Sequence, residues 1–411
     1  MYSQQMVDYR PRTAENLLRQ MLESMPVVML TGPRSIGKTT LARKFSESEL
    51  NLDDQQTATY LEQTNYSDLE KLQKPILIDE WQKSPDILSK IKRLVDSDNS
   101  AGQFLITGSA SSIADEDIWP LVGRAAFLPV RPMSQSELRQ SSSEILETIR
   151  SGNAPQSRVV DFGKTQFIDA VAQSGYASMI GVDFKLPVYS SLLRAIAENA
   201  IASEAKNLGI ASNTDKLSEY LSAVSVSSST LVSEASVLQL AGVSRPSANK
   251  YQKALKKLGL IYEIPGFSSN DFTRLKKRSK TMMADTAMMA AINGWHKAKV
   301  EAKPELMGVL AENFVAQQLM PFVDEEFARL SYLRTDSGDR EIDFVLELAD
   351  SELIAIEVKA SESVSKNDAR HIDWFEAQSS QFKLGIVFYL GREQFPLSSN
   401  VWAVPISSLW Q

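Results

Sequence analysis

The 411-residue sequence contains no cysteine and only two histidines, His296 and His371. Disulfides, thiolate zinc sites and cysteine nucleophiles are therefore excluded, and a His-centred triad or multi-His metal centre lacks the residues to form. Any metal must be held by carboxylates, a hard oxygen set that favours Mg²⁺ or Mn²⁺. No apolar run is long enough to span a bilayer, and the opening stretch MYSQQMVDYRPRTAENLL lacks the short apolar core of a secretory signal. These absences point to a cytoplasmic location with no membrane partner. Net charge is also modest, −7 in total, which argues against a generally sticky polyanion binder. Basic charge is instead concentrated. Residues 245–280 hold ten Lys/Arg against two acids, a local +8 that leaves −15 on the remainder. That excess suits contact with DNA or RNA phosphates, and it equally suits a solvated surface.

What is present begins with three short apolar runs, VVML at 27–30, PILI at 75–78 and QFLI at 103–106, separated by helical patterning. The alternation predicts an α/β fold with a parallel sheet covered by helices. From about 136 to 160 the chain turns serine-rich and polar, which reads as a boundary or mobile connection. Four divisions follow: residues 1–135 as a P-loop domain, 136–222 as a helical linker region, 223–284 as a winged-helix unit, and 285–411 as a C-terminal α/β domain.

VVML runs directly into TGPRSIGKTT, where Gly32 through Thr39 fits G-x-x-x-x-G-K-[ST] between a strand and a helix. The glycines let backbone N–H groups curl towards phosphate oxygens, and the helix N-terminus favours the anion. Gly32, Pro33, Arg34, Ser35, Ile36, Gly37, Lys38, Thr39 and Thr40 are thus candidate ATP-binding residues. Lys38 places charge on the β- and γ-phosphates, and Thr39 offers a hydroxyl to Mg²⁺. PILIDE supplies the second element. Asp79 would hold Mg²⁺ and Glu80 would polarise the attacking water. Ser109, in TGSAS after the third strand, is placed to sense the γ-phosphate. Arg124 is a candidate nucleotide contact in its own subunit or a neighbour's.

In the last third, Ile342, Phe344, Leu346 and Leu348 alternate with Glu341, Asp343, Val345 and Glu347, and Ile354 and Ile356 alternate with Ala355, Glu357 and Lys359, which marks a hairpin with one buried face. A turn centred on Asp350 pairs Asp343 with Glu357. Like charges directly opposite on a sheet are destabilising, so a divalent cation between them is the natural compensation. Asp343…Glu357-Val358-Lys359 matches the Asp…Glu-x-Lys core of restriction-endonuclease-like nucleases. Strand alternation puts Glu357 and Lys359 on one face, with Asp343 and Glu357 as Mg²⁺ ligands and Lys359 orienting water. Glu312, a carboxylate on a helical stripe with Val309, Ala316 and Leu319, needs a partner or a metal and is a further candidate ligand. The same register sets Glu341 opposite Lys359, an ordinary cross-strand ion pair.

Between these regions, residues from about Leu231 to Phe267 read as helix, turn at Gly242, second helix and extended wing. Ser244 is placed to cap the second helix, and Lys250, Lys253, Lys256 and Lys257 line its exposed side. Together, VVMLTGPRSIGKTTLARKF, LIDEWQKSPDIL, TGSASS and GRAAFLPVRPMSQSEL resemble bacterial and archaeal AAA-type ATPases that carry a C-terminal domain of unknown function. GYASMI at 175–180 looks like that family's Gly-[FY]-Pro-Glu segment, with Ala177 and Ser178 departing from it. RLKKRSKTMMADTAMMAAI looks like its Lys-rich strand leading to an Asp, here Asp285. The resemblance implies ATP binding and slow hydrolysis. The resulting expectation is a Mg-ATP-driven switch of a nuclease-like module acting on nucleic acid. The alternative is an ATP-dependent switch that binds a protein partner and whose nuclease-like domain is inactive.

Overall fold

The computed structural model describes residues 9–57, 59, 66–108, 120–204, 213–229, 233–268, 279–335 and 338–411. Its N-terminal part is a five-stranded parallel sheet of β1 (Val27–Thr31), β2 (Ser48–Asn51), β3 (Ile76–Asp79), β4 (Phe104–Thr107) and β5 (Ala125–Pro129), in the order β2-β3-β4-β1-β5. The central strands β1, β3 and β4 read as continuous apolar runs because both their faces are covered. Val28, Leu30, Leu77 and Leu105 pack in the core shared with helix Ala14–Ser24, while Met29, Ile76, Ile78 and Ile106 pack with helix Ile87–Ser97. The C-terminal ends of β1, β3 and β4 therefore lie together at one edge, where open α/β sheets bind ligands.

The middle of the chain is helical and ends in a hairpin. Helices Thr214–Val226, Glu234–Ala241 and Arg245–Lys257 precede β7 (Ile261–Ile264), which pairs antiparallel with β8 (Lys280–Met283). The Ser244 side chain accepts from Ser247 N, as an N-cap should. Tyr251, Ala254, Leu255 and Leu258 are buried, and Lys250, Lys253, Lys256 and Lys257 are exposed. Lys280 departs from this pattern. It is 1% exposed and ion-paired, so it is not part of a phosphate-facing surface. Arg274, Lys276, Lys277 and Arg278 lie outside the described residues.

The C-terminal part is a seven-stranded mixed sheet. β6 (Arg158–Val159), β9 (Arg329–Arg334), β10 (Glu341–Glu347), β11 (Leu353–Lys359), β12 (Phe382–Tyr389), β13 (Glu393–Pro396) and β14 (Val401–Pro405) run in the order β6-β13-β14-β12-β11-β10-β9. Two expectations change here. The hairpin strands are buried on both faces: Phe344, Leu346, Ile354 and Ile356 face the long helix Pro304–Glu325, whereas Val345, Leu353 and Ala355 pack with Ile372 and Phe375 of helix Arg370–Glu376. The serine-rich stretch is also built into the fold. Ser134 and Ser143 cap helices Gln135–Arg139 and Glu144–Ser151, and β6 pairs with β13 at the sheet edge. Serine there stops and starts helices, which its composition alone does not distinguish from a loose connection.

Candidate nucleotide site and a C-terminal carboxylate site

The loop after β1 needs backbone that only glycine supplies cheaply. Gly32 has φ of 138° and Gly37 has φ of 94°. A Cβ on Gly32 would fall 2.2 Å from the Val130 carbonyl oxygen. Gly32→Ala should therefore lower stability by about 1–3 kcal/mol or more, read as a drop in Tm. An unchanged Tm would show that the loop relaxes freely.

Lys38, buried to 7% exposure, donates through Nζ to the carbonyls of Gly32 at 2.9 Å and Pro33 at 2.6 Å. Thr39 Oγ1 donates to Asp79 Oδ1 at 2.8 Å, and the Thr107 hydroxyl at the end of β4 donates to the same oxygen. This is an all-oxygen donor set next to a lysine, which fits Mg²⁺ beside phosphate. Glu80 follows at φ of 57° and accepts from the Gln82 side chain. Lys38, Thr39, Asp79 and Glu80, with Arg34, Ser35, Gly37 and Thr40, line one cavity of about 690 Å³.

Sequence reasoning missed what braces this loop. Arg12, 6% exposed, donates to Ile36 O at 3.0 Å and Arg131 O at 2.6 Å and pairs with Glu137 at 3.2 Å. The 177–178 turn covers the other side. Ser178 N donates to Ser35 O at 3.2 Å, and Ala177 Cβ would sit 3.3 Å from a Cβ on Gly37. The departing residues of GYASMI are thus the ones that touch the loop. Gly259, after helix Arg245–Lys257, lies against Pro33.

Arg124 is not at its own subunit's site. Ala125 is in register with Val27, so Arg124 sits at the end of the sheet opposite the loop, about 13 Å of strand away. There it pairs with Asp96 and bonds the Val122 carbonyl at 3.0 Å. Ser109 lies outside the described residues.

The second constellation forms on the β10–β11 hairpin. The ladder pairs Phe344 with Ile356, Val345 with Ala355 and Leu346 with Ile354, a register that continues to Asp343 beside Glu357. Asp343 Oδ2 accepts from Val358 N at 2.8 Å, and Lys359 Nζ lies 2.9 Å from Glu357 Oε2. A register shift between β9 and β10 falls between Ile342 and Val345, a bulge of the kind that re-aims side chains near sites. Glu341 does not pair with Lys359. It opposes Arg334 on β9, because the bulged end of β10 is laddered to β9 rather than β11. Glu312 finds a protein partner, Lys280 Nζ at 2.6 Å, and the same ammonium is 3.9 Å from Glu341. His371 Nδ1, which sequence reasoning passed over, is 2.7 Å from the Glu341 carbonyl and 3.9 Å from Glu357 Oε1. Among the described residues, no three His, Asp or Glu side chains converge as a metal-holding group.

Burial, reinforced by the charge of Asp343, pushes the Glu312 carboxyl up to about 8, with Lys280 opposing. Burial and Asp343 raise Glu357 likewise, against the pull of Lys359. Both carboxyls hold protons more tightly folded than unfolded. Their contribution to stability is thus full below the ordinary carboxyl range and is lost as pH rises through about 8. The Tm of the metal-free protein should fall between about pH 5 and 8, and Glu357→Gln should reduce that slope. Equal slopes in wild type and variant would contradict the assignment.

Comparison with known proteins adds three matched spans. Residues 24–139 match an AAA domain, 167–299 a domain of unknown function (DUF8612), and 307–409 a domain of unknown function (DUF4143). The uncharacterized proteins Rv2008c of Mycobacterium tuberculosis and Mb2031c of Mycobacterium bovis are each 27% identical over 409 residues, covering 97% of this chain and 84% of the relative. Among solved structures, the Walker-type ATPase PABY2304 of Pyrococcus abyssi is 16% identical with a TM-score of 0.39, covering 69% of this chain and 99% of that one. A DNA replication initiation factor is 11% identical with a TM-score of 0.28, covering 60% and 90%. No described helix is long and apolar enough to cross a membrane. Residues 24–139 are thus similar to an AAA domain, and Lys38, Thr39, Asp79 and Glu80 all lie inside the matched span.

Proposed function

We propose that this chain hydrolyses Mg-ATP at the P-loop and uses the nucleotide state to control a C-terminal nuclease-like site acting on nucleic acid. The observation that carries the first half is the Lys38–Thr39–Asp79 arrangement in a single cavity at the strand ends. Bound Mg-ATP would supply the γ-phosphoryl group and the charge that Lys38 and the loop N–H groups neutralise. Thr39 and Asp79 would hold the cation, and Glu80 would take a proton from the attacking water. Lys38→Ala should abolish Mg-ATP binding in a nucleotide titration, since the ammonium is the loop's only side-chain charge buried against the phosphate position. Retained affinity would mean that the pocket binds something else.

The second half rests on Asp343, Glu357 and Lys359 meeting on one hairpin. Two adjacent carboxylates and a lysine suit Mg²⁺-assisted attack of water on a phosphodiester, with Lys359 orienting the water. We read residues 223–284 as a winged-helix unit, its exposed lysines supplying phosphate contacts. A protein-binding switch with an inactive C-terminal domain is the competing reading, and the cleavage experiment in the Discussion separates the two.

A further inference from the structure

We propose that Lys280 is the resident counter-cation of the C-terminal carboxylate site, and that strand β8 ties its withdrawal to the nucleotide pocket. The inference rests on the reading of Asp343 and Glu357 as a cation-holding pair.

Lys280 opens β8 opposite Ile264, a register position in a small hairpin that has no local need for a charge. Yet its side chain is 1% exposed, and its Nζ lies 2.6 Å from Glu312 and 3.9 Å from Glu341. The ammonium also stands 5.3 Å from the centre of the Tyr332 ring. A buried ammonium is costly unless it is paired, so the carboxylates and Lys280 hold one another in place. The consequence for Glu312 is specific. It is committed to Lys280, and among the described residues no three carboxylates converge as a cage. As arranged, the side chains hold an internal cation in place of a divalent one.

Past the far end of the same strand, Asp285 holds the segment that leads into the turn lining the nucleotide pocket. Asp285, two residues past β8, is 1% exposed. Its carboxylate accepts from Ser174 Oγ at 3.0 Å, Gly175 N at 2.8 Å and Met288 N at 2.7 Å. The chain held there continues into the 177–178 turn that covers Gly37 and bonds Ser35. Five residue steps, about 17 Å if extended, therefore separate the lysine in one site from the anchor of the cap on the other. Asn313, next to Glu312, grips β8 by both its backbone groups: it accepts from Met283 N at 2.9 Å and donates to Met283 O at 3.1 Å. A shift of the cap when phosphate fills the loop is thereby carried along β8 to Lys280, and the helix bearing Glu312 is coupled to the same motion.

The experiment uses the full-length protein without nucleotide and follows Mn²⁺ binding by the loss of its free EPR signal. Lys280→Met should tighten binding at the carboxylate site by about tenfold or more, as removal of a competing unit charge at ion-pair distance requires. Lys280→Arg should bind like wild type, and Glu357→Gln should remove the gain. Wild-type affinity in Lys280→Met, with Glu357→Gln still weakening binding, would overturn the role of Lys280 and leave the carboxylate site standing. Indifference to Glu357→Gln in both backgrounds would instead overturn the carboxylate reading itself. A measurement on the wild-type chain covers the case of a variant that fails to fold. Acylation by an N-hydroxysuccinimide ester, mapped by mass spectrometry, should spare Lys280 without nucleotide and modify it with Mg²⁺ and ATPγS. Equal protection in both conditions would overturn the link through β8.

Discussion

Glu80→Gln is expected to keep Mg-ATP bound while slowing its hydrolysis by about 10²–10⁴-fold, the size of a lost general base. The substitution preserves shape and removes only the ability to accept a proton. Glu80 has the position for that role. It follows Asp79 at the end of β3, in a left-handed backbone conformation with φ of 57°, and lines the cavity that Lys38 and Thr39 share. A non-glycine residue held at positive φ beside a candidate site is strained, and such strain persists where geometry is functional. Gln82 holds the carboxylate from the side. Affinity should be unaffected because, on the proposed reading, the phosphate would be held by Lys38 and the loop N–H groups. Normal turnover in Glu80→Gln would show that another group activates the water. Loss of affinity along with turnover would show that Glu80 supports the pocket's structure instead.

The second large effect is expected at the hairpin. Wild-type protein should cleave DNA or RNA in the presence of Mg²⁺, and Asp343→Ala should reduce that cleavage to background while ATP turnover persists. The selectivity follows from the structure: Asp343 touches Val358 N and the charge field of Glu357, and lies on the C-terminal sheet, away from the P-loop cavity. Removing it deletes one of the two carboxylates that would hold the cation in the proposed site. Cleavage that survives Asp343→Ala would assign the chemistry elsewhere. A wild-type chain that cleaves nothing across varied DNA and RNA, yet turns over ATP, would favour the protein-binding switch.

Much of this geometry is legible in the sequence because it is local. The P-loop reads directly, since a glycine pattern between an apolar strand and a helix dictates its own backbone. The register of β10–β11 reads from alternation and turn position, and the observed pairing of Phe344 with Ile356 is the one that a turn at Asp350 demands. What could not be read is set by distant chain. Nothing near Lys280 announces Glu312 as its partner, and the lysine looks like one more charge in a basic run. Arg12 reads as an unremarkable residue before a helix, although it holds the loop at Ile36 and reaches Glu137. A Gly-Arg pair after the strands suggests a nucleotide contact, and the own-subunit half of that expectation fails for Arg124. The parallel register of β5 with β1 carries it to the other end of the sheet. The both-sided burial of the hairpin was hidden too, since polar residues at one end of the strands imitate a solvated face.

The central claim is that the cavity around Lys38, Thr39 and Asp79 binds Mg-ATP. Isothermal titration of the purified wild-type chain with ATP in the presence of Mg²⁺ tests it most directly. The structure predicts saturable heat at one nucleotide per chain, lost in Lys38→Ala. A flat titration with folded wild-type protein would contradict the account.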